Sequence, residues 1–445
     1  MFLGIDVGTS KVAAVIVDGG RRVVASASRE HGADIRGSPG RSEQDVQAIF
    51  AAALLIVQEL PPNLRRQVQA VGVTGQMHGV VVLDEHRAPL TPLITWQDRR
   101  CLEGDFLARL SARCGHRLGT GFGCATLAWL VEHQALPAGA AASATVQDVL
   151  VAALCGESRP VTDPTDAASW GLLDLRWLDW DSQAVQKANL PPSVLPRVVP
   201  CGTLGGRAHP QAAGDLGVPA GVPVAVAIGD NQASLLATLE DPRTDLALTL
   251  GTGGQVSAVL PADVEAGPLP PNCTYEYRPF PGGRMLVVAA SLCGGAAWAW
   301  LADAVIRWFE DFAAPAPPRD QVFQRLNQLG AQAKGTLELS PHFLGERYDE
   351  SLRGSIRGIG LGNFDLGNLA RATARGIVGN LKAMLPAHAL TGRRRVVGSG
   401  NALRRNPLLR AMTEEVFGLP LKLSDSQEEA ATGAAINAMG LVSPR

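Results

Sequence analysis

GIDVGTS, residues 4–10, is the stretch on which the reading of this chain turns. It sets a Gly-Thr-Ser turn between two apolar runs, residues 2–5 and 12–17, each of strand length. Backbone N–H groups of such a turn converge on an anion, and glycine keeps a Cβ out of the way of phosphate oxygens. The stretch is not a Walker-type loop, because the Gly-Lys pair and the helix that must follow are missing. A hairpin is expected instead, with Asp18-Gly19-Gly20 leading into a third strand over 22–27. Asp6 stands just before the turn. A carboxylate facing phosphates is repulsive unless a divalent cation lies between them, most simply Mg2+ with retained water, although an Asp at a strand end can also serve turn amides.

The pattern returns at LTLGTGG, residues 248–254, inside the longer run ALTLGTGGQVSAVL. Aligning Gly8-Thr9 with Gly251-Thr252 puts both turns between apolar runs and sets Thr249 where Asp6 stands. An internal duplication explains this, and so would two unrelated glycine hairpins. The duplication predicts two similar α/β domains, 1–240 and 241–445, with a nucleotide held in the cleft between them and a boundary near 237–246, at the polar Glu240-Asp241-Pro242-Arg243. An amphipathic helix is expected over 42–60, capped by Ser42, then a strand over 68–74. Helices over 369–385, 407–417 and 428–439 and a strand over 395–397 follow in the second half. The Pro-rich run 313–319 reads as a local loop.

The bulk composition narrows the function. With 445 residues the chain exceeds one compact core. A hydrophobic share of 46% against 18% charged residues is globular, and a net charge of -2 leaves no basic excess with which to coat nucleic acid. No apolar run reaches the length of a membrane helix and no signal-peptide pattern opens the chain, so a cytoplasmic protein with small-molecule substrates is expected. Seven cysteines with no CxxC read as reduced thiols filling the core.

A second aspartate stands out in VPVAVAIGDNQASLLA, residues 222–237, where a buried strand ends in Gly229-Asp230 and a helix begins. Ligand sites in α/β sheets lie at such carboxyl ends. Asp230 is placed to take a proton from a substrate hydroxyl attacking a phosphoryl group, though Asp is also a favoured helix cap. TGQMHGVVVLD, 74–84, and LITWQDRR, 93–100, bring together amide, carboxylate, guanidinium and aromatic groups suited to a polyhydroxylated ligand; a surface loop with one buried Trp is the plainer alternative. The glycines of VVGSGNALRRNP, 396–407, precede a helix at a fair site for adenine or ribose.

In this order the segments resemble the FGGY carbohydrate kinases of the actin-like ATPase superfamily, over nearly the whole chain. GIDVGTS and LTLGTGG are similar to the family's two phosphate motifs, TGQMHG and TWQDRR to its sugar-binding segments, GDNQAS to its base segment and GSGNALRRN to its adenosine motif. TGFGCATLAWL, DAASWG and LGERY add to the likeness. The resemblance implies two duplicated actin-like (ribonuclease H-like) α/β domains and ATP with Mg2+ as cofactors. It implies Asp230 as general base and Asp6 at the metal. Gly8, Thr9, Ser10, Gly251, Thr252 and Gly253 would line the phosphates, and Gly398, Gly400 and Asn401 the adenosine. Met77, His78, Trp96, Asp98 and Asp166 would face the sugar. The implied reaction phosphorylates the terminal hydroxyl of a ketose, sedoheptulose first, with xylulose, ribulose or glycerol as alternatives and a turnover-free nucleotide sensor as a rival of another class. A monomer or homodimer without nucleic acid or membrane partners is expected. Lys11, where small or polar residues are usual, and the Gly-Ser-Gly of the adenosine motif depart from the pattern.

Overall fold

The computed structural model describes residues 1–442 apart from 265, 268, 270–272, 347–348 and 426–427. Arg347 and Tyr348 of the LGERY segment therefore lie outside the described residues. Contacts divide the chain into two compact units, one of Met1–Ala237 with Pro279–Gly283 and the described part of 426–445, the other of Thr238–Arg278 with Arg284–Asp425. The chain crosses between units beside the expected boundary. The segment after 425 does not follow the division at 240, because by contacts it groups with the first unit.

In the first unit the opening strands β1 (Phe2–Val7), β2 (Lys11–Val17) and β3 (Val23–Glu30) form an antiparallel meander. On its other side β1 pairs in parallel with β4 (Ala70–Gly75), which continues to β5 (Leu204–Arg207) through β6 (Pro223–Ala225). The two-residue strand β7 (Ile228–Gly229) also pairs in parallel with β4. The sheet thus runs β5-β6-β4-β1-β2-β3. Residues 222–228, expected as one strand, are split between β6 and β7.

Strand alternation decides what each face meets. Leu3, Ile5, Val7, Val12, Ala14, Ile16, Val71 and Val73 point to one face and bury against Ile49, Ile56 and Val57 of the helix Val46–Glu59. Phe2, Ala13, Val15 and Ala70 point to the other, against Ala431, Ala435 and Ala438 of the last helix, Glu429–Met439. Gly4 and Gly72 permit that contact: a Cβ on either would lie 1.9 Å from the carbonyl oxygen of Ala431 or Ala434. By the same alternation Asp6, Lys11 and Thr74 share the face of the last helix.

The helix Val46–Glu59 is capped by Asp45, whose Oδ1 accepts from Gln47 N at 2.8 Å and Ala48 N at 3.3 Å. The expected cap, Ser42, bonds instead to Thr95 Oγ1 at 2.7 Å. Glu43–Gln44 form a short strand between Asp34–Ile35 and Leu93–Ile94, which removes these residues from the helix.

The second unit repeats the plan. β8 (Asp245–Leu250) and β9 (Gly254–Val259) form the second glycine hairpin, and β10 (Arg284–Ser291) pairs antiparallel with β9. β11 (Arg395–Ser399) and β12 (Leu421–Leu423) extend the other side in parallel. The order β10-β9-β8-β11-β12 mirrors β3-β2-β1-β4-β6, so the duplication read from two heptapeptides extends to five strands in each half.

Candidate active site

In the first unit three parallel strands end at one level. Asp6 of β1 and Ile228 of β7 both lie opposite Thr74 of β4, and Val7 and Gly229 opposite Gly75. Asp230 follows as the first residue of the helix Asp230–Thr238, not as the residue before it. The two aspartates act on each other: burial first, and then the Asp230 charge, push the Asp6 carboxyl up to about 7, against the opposing pull of Lys11. Asp6 Oδ1 is enclosed and has no hydrogen-bond partner among the described residues. An orphaned carboxylate oxygen with a raised pKa is a fit for a cation, since a bound positive charge supplies what the protein does not. No cluster of three or more His, Cys, Asp or Glu able to hold a metal occurs among the described residues. A magnesium ion here would rest on one carboxylate, water and phosphate oxygens, its usual manner of binding.

The turn after Asp6 is fixed from behind through its carbonyls. Thr9 O accepts from Gln44 Nε2 at 2.7 Å and contacts His31 Nε2 at 3.0 Å, and Gly8 O accepts from Gln76 Nε2 at 3.4 Å. Ser10 O accepts from His31 N at 3.2 Å. With these oxygens engaged, the amides of the turn are the groups left for an anion. Beside it, Lys11 Nζ pairs with Glu428 Oε2 at 2.7 Å. Gln44 and His31 carry no motif of their own and escaped the sequence reading, and Gln76, inside TGQMHG, was read toward the sugar and not as a support of this turn.

The residues expected at the sugar divide into two groups. Trp96 is 44% exposed, and its Nε1 donates to Thr9 Oγ1 at 3.0 Å, so an aromatic face stands beside the first glycine turn. His78, held at φ 76°, has Nδ1 2.7 Å from Ser169 O and stacks on Phe122 at 4.8 Å. Met77 packs on Gly229, where a Cβ would meet its Sδ at 2.9 Å. Asp98 and Asp166, by contrast, are internal. Asp98 Oδ1 accepts from Arg100 N and Nε and Oδ2 from Arg100 Nη2 and Ser42 N, all between 2.7 and 2.9 Å, and these bonds hold its carboxyl below the usual range despite burial. Asp166 accepts from Gln147 Nε2 at 2.9 Å, and burial together with Asp148 and Asp163 pushes its carboxyl well up. Both oxygens of Asp98 are taken by the bonds from Arg100 and Ser42, so the sugar contact expected of it is not offered, whereas Asp166 Oδ2 is buried with no hydrogen-bond partner among the described residues.

In the second unit the turn Gly251-Thr252-Gly253 is anchored by its carbonyls to the start of the helix Gly295–Asp311. Gly295 N donates to Gly251 O at 2.8 Å, and Gly294 N and Ala296 N donate to Thr252 O at 2.9 and 3.0 Å. Thr249, in the register place of Asp6, meets Ser399 Oγ at 2.8 Å and brings no charge. Gly400 joins the segment expected at the adenosine to this turn: at φ +88° it approaches Leu250 O so closely that a Cβ would lie 2.3 Å away. Asn401 is exposed at the start of the following helix. A Cβ on Gly398 would run into Leu421, Leu403 and Leu423, so glycine there serves the close packing of sheet and helix.

Two family models account for almost the whole chain: the N-terminal domain of the FGGY family of carbohydrate kinases over residues 1–237 and its C-terminal domain over 246–441. The chain belongs to the FGGY family of carbohydrate kinases. Membership makes it an ATP-dependent sugar kinase with the two-domain α/β fold of that family. This FGGY kinase is 34% identical to the human sedoheptulokinase over 98% of its own length and 96% of the relative's. It is similar to a xylulose kinase structure from Rhodospirillum rubrum, with a TM-score of 0.82 and 25% identity over 98% of this chain and 89% of that one. A gluconate kinase from Lactobacillus acidophilus shares the fold at TM-score 0.80, with 22% identity over 99% of this chain and 89% of that one.

Proposed function

We propose that this FGGY kinase transfers the terminal phosphoryl group of MgATP to the terminal hydroxyl of sedoheptulose, giving sedoheptulose 7-phosphate and ADP. The observation that carries the substrate is the near full-length likeness to sedoheptulokinases from human and mouse, each 34% identical. Asp230 takes the proton of the attacking hydroxyl, a role supported by its place at the strand ends beside Asp6. Asp6 holds Mg2+ at the phosphates, and the ion neutralises charge there when bound. Gly8, Thr9, Ser10, Gly251, Thr252 and Gly253 serve the phosphates. Gly400 and Asn401 attend the adenosine, with Gly398 supporting them from the sheet. Met77, His78, Trp96 and Asp166 meet the sugar, while Asp98 holds the segment that carries Trp96.

Phosphoryl transfer asks a protein for positioning and charge neutralisation more than for covalent help, so a rigid frame behind each group is the expected design. The kinase works in the cytoplasm, as a monomer or homodimer, on a free sugar. ADP release across sedoheptulose, xylulose, ribulose, fructose, gluconate and glycerol tests the substrate. A tenfold lead in kcat/KM for sedoheptulose, about 1.4 kcal/mol in the transition state, supports the assignment. A lead for xylulose or another shorter sugar transfers it to that substrate, and nucleotide binding without turnover on any sugar makes the protein a sensor.

A further inference from the structure

Thr165 is fully buried in the first turn of the short helix Pro164–Ser169, and its hydroxyl makes two bonds of opposite sense. It donates to Asp163 Oδ1 at 2.6 Å and accepts from Gly229 N at 2.8 Å. The carbonyl of the same peptide group, Ile228 O, accepts from Thr74 Oγ1 at 2.6 Å. One peptide unit is therefore gripped at both polar ends by threonine hydroxyls from different elements, and the next residue is Asp230.

We propose that Thr165 and Thr74 form a positioning clamp for the general base, with Asp163 setting the direction of the Thr165 hydroxyl. The inference rests on the reading of Asp230 as base. β7 has only two residues and is separated from β6 by Val226 and Ala227, so few ladder bonds hold the backbone before Asp230. A hydroxyl has one proton to give. Asp163 Oδ1 takes it, so that a lone pair of Thr165 faces the Gly229 N–H. Asp163 is itself fixed as the cap of its helix, accepting from Thr165 N at 2.8 Å and Asp166 N at 3.1 Å through the same oxygen. The chain of contacts runs from a helix cap, through one hydroxyl, to the peptide that aims the base. A displacement of about 1 Å in such a frame costs about 100-fold in rate.

The test compares Thr165→Val, which keeps the shape and removes the hydroxyl, with Thr165→Ser, which keeps the hydroxyl, in the full chain. The expected result is a kcat lower by about 10- to 100-fold for Thr165→Val, with KM for sugar and ATP within about twofold and the fold intact by circular dichroism. Thr165→Ser returns kcat to within about threefold of the parent. In an Asp230→Asn background Thr165→Val adds no further loss, because the group it positions is already gone. An unchanged kcat in Thr165→Val, or an equal loss in both backgrounds, overturns the clamp while leaving Asp230 as base. Normal turnover of Asp230→Asn itself overturns both. Should Thr165→Val fail to fold, Thr74→Val reads the other end of the same peptide, with the same expected loss and the same overturning results.

Discussion

Trp96 donates its indole N–H to the hydroxyl of Thr9 at 3.0 Å, tying the segment expected at the sugar to the first glycine turn. A neutral hydrogen bond of this kind is worth about 1 kcal/mol. Trp96→Phe keeps an aromatic face and loses the bond, so kcat/KM for the sugar is expected to fall roughly fivefold with little change in Tm. Steady-state kinetics on the purified variant decides it; an unaltered kcat/KM means that the tie has no part in substrate capture.

Loss of the base is expected to be severe. Asp230→Asn should lower kcat by about 10²- to 10⁴-fold while thermal unfolding stays close to that of the parent. Retained turnover would take Asp230 out of the mechanism. Its neighbour Asp6 should behave differently in one respect: Asp6→Asn also loses the dependence of nucleotide binding on Mg2+, which calorimetry with and without the ion measures directly.

Asp6 also makes a stability prediction. Its carboxyl titrates at about 7 in the folded protein and near 4 when unfolded, so the folded state holds the extra proton between those values. Stability therefore falls as pH rises from about 4 to about 7, and above that range the folded protein carries the cost of a buried charge. Asp6→Asn removes the cost. Without nucleotide its Tm should exceed that of the parent by about 2 °C or more at pH 8.5, with the gain shrinking toward pH 5. A gain of equal size at both values would show that the charge of Asp6 is not its source. Lys11 draws the Asp6 pKa down and Glu428 raises it, so Lys11→Ala should enlarge the gain conferred by Asp6→Asn.

Gly400 cannot take a side chain without moving the second hairpin. Positive φ and a Cβ at 2.3 Å from Leu250 O together should cost about 2 kcal/mol or more in Gly400→Ala. The measurable results are a lower Tm and a weaker affinity for ADP. A variant that binds ADP normally and melts as the parent does would show that the close approach is dispensable.

How much of this was legible beforehand depends on range. The glycine hairpins and the α/β duplication could be read because each hairpin is written in a few contiguous residues, whereas the juxtaposition of Asp6 and Asp230 comes only from the pairing of β1 and β7 with β4. The helix start could not be placed from Ser42 and Asp45 alone, since both are good caps. What chose between them was the pairing of Glu43–Gln44 with Leu93–Ile94, some fifty residues distant. Asp98 looked like a ligand because it lies among polar residues, and Arg100, two positions away, turned out to consume its carboxylate. Gln44 and His31 support a turn distant from them in sequence, and a single chain carries no local mark of such support. The clamp on Gly229 joins residues 74, 165 and 229, three separate segments that only the fold brings into register.

The last helix has a consequence for the birth of the molecule. Its alanines cover Gly4 and Gly72, yet they leave the ribosome about 360 residues after Gly72 does. At 5–20 residues per second one side of the first sheet must wait on the order of 20–70 s for its cover. During that interval Phe2, Val15 and Val17 form a sticky nascent surface, a place for a chaperone to hold and the first place where a stalled chain would aggregate.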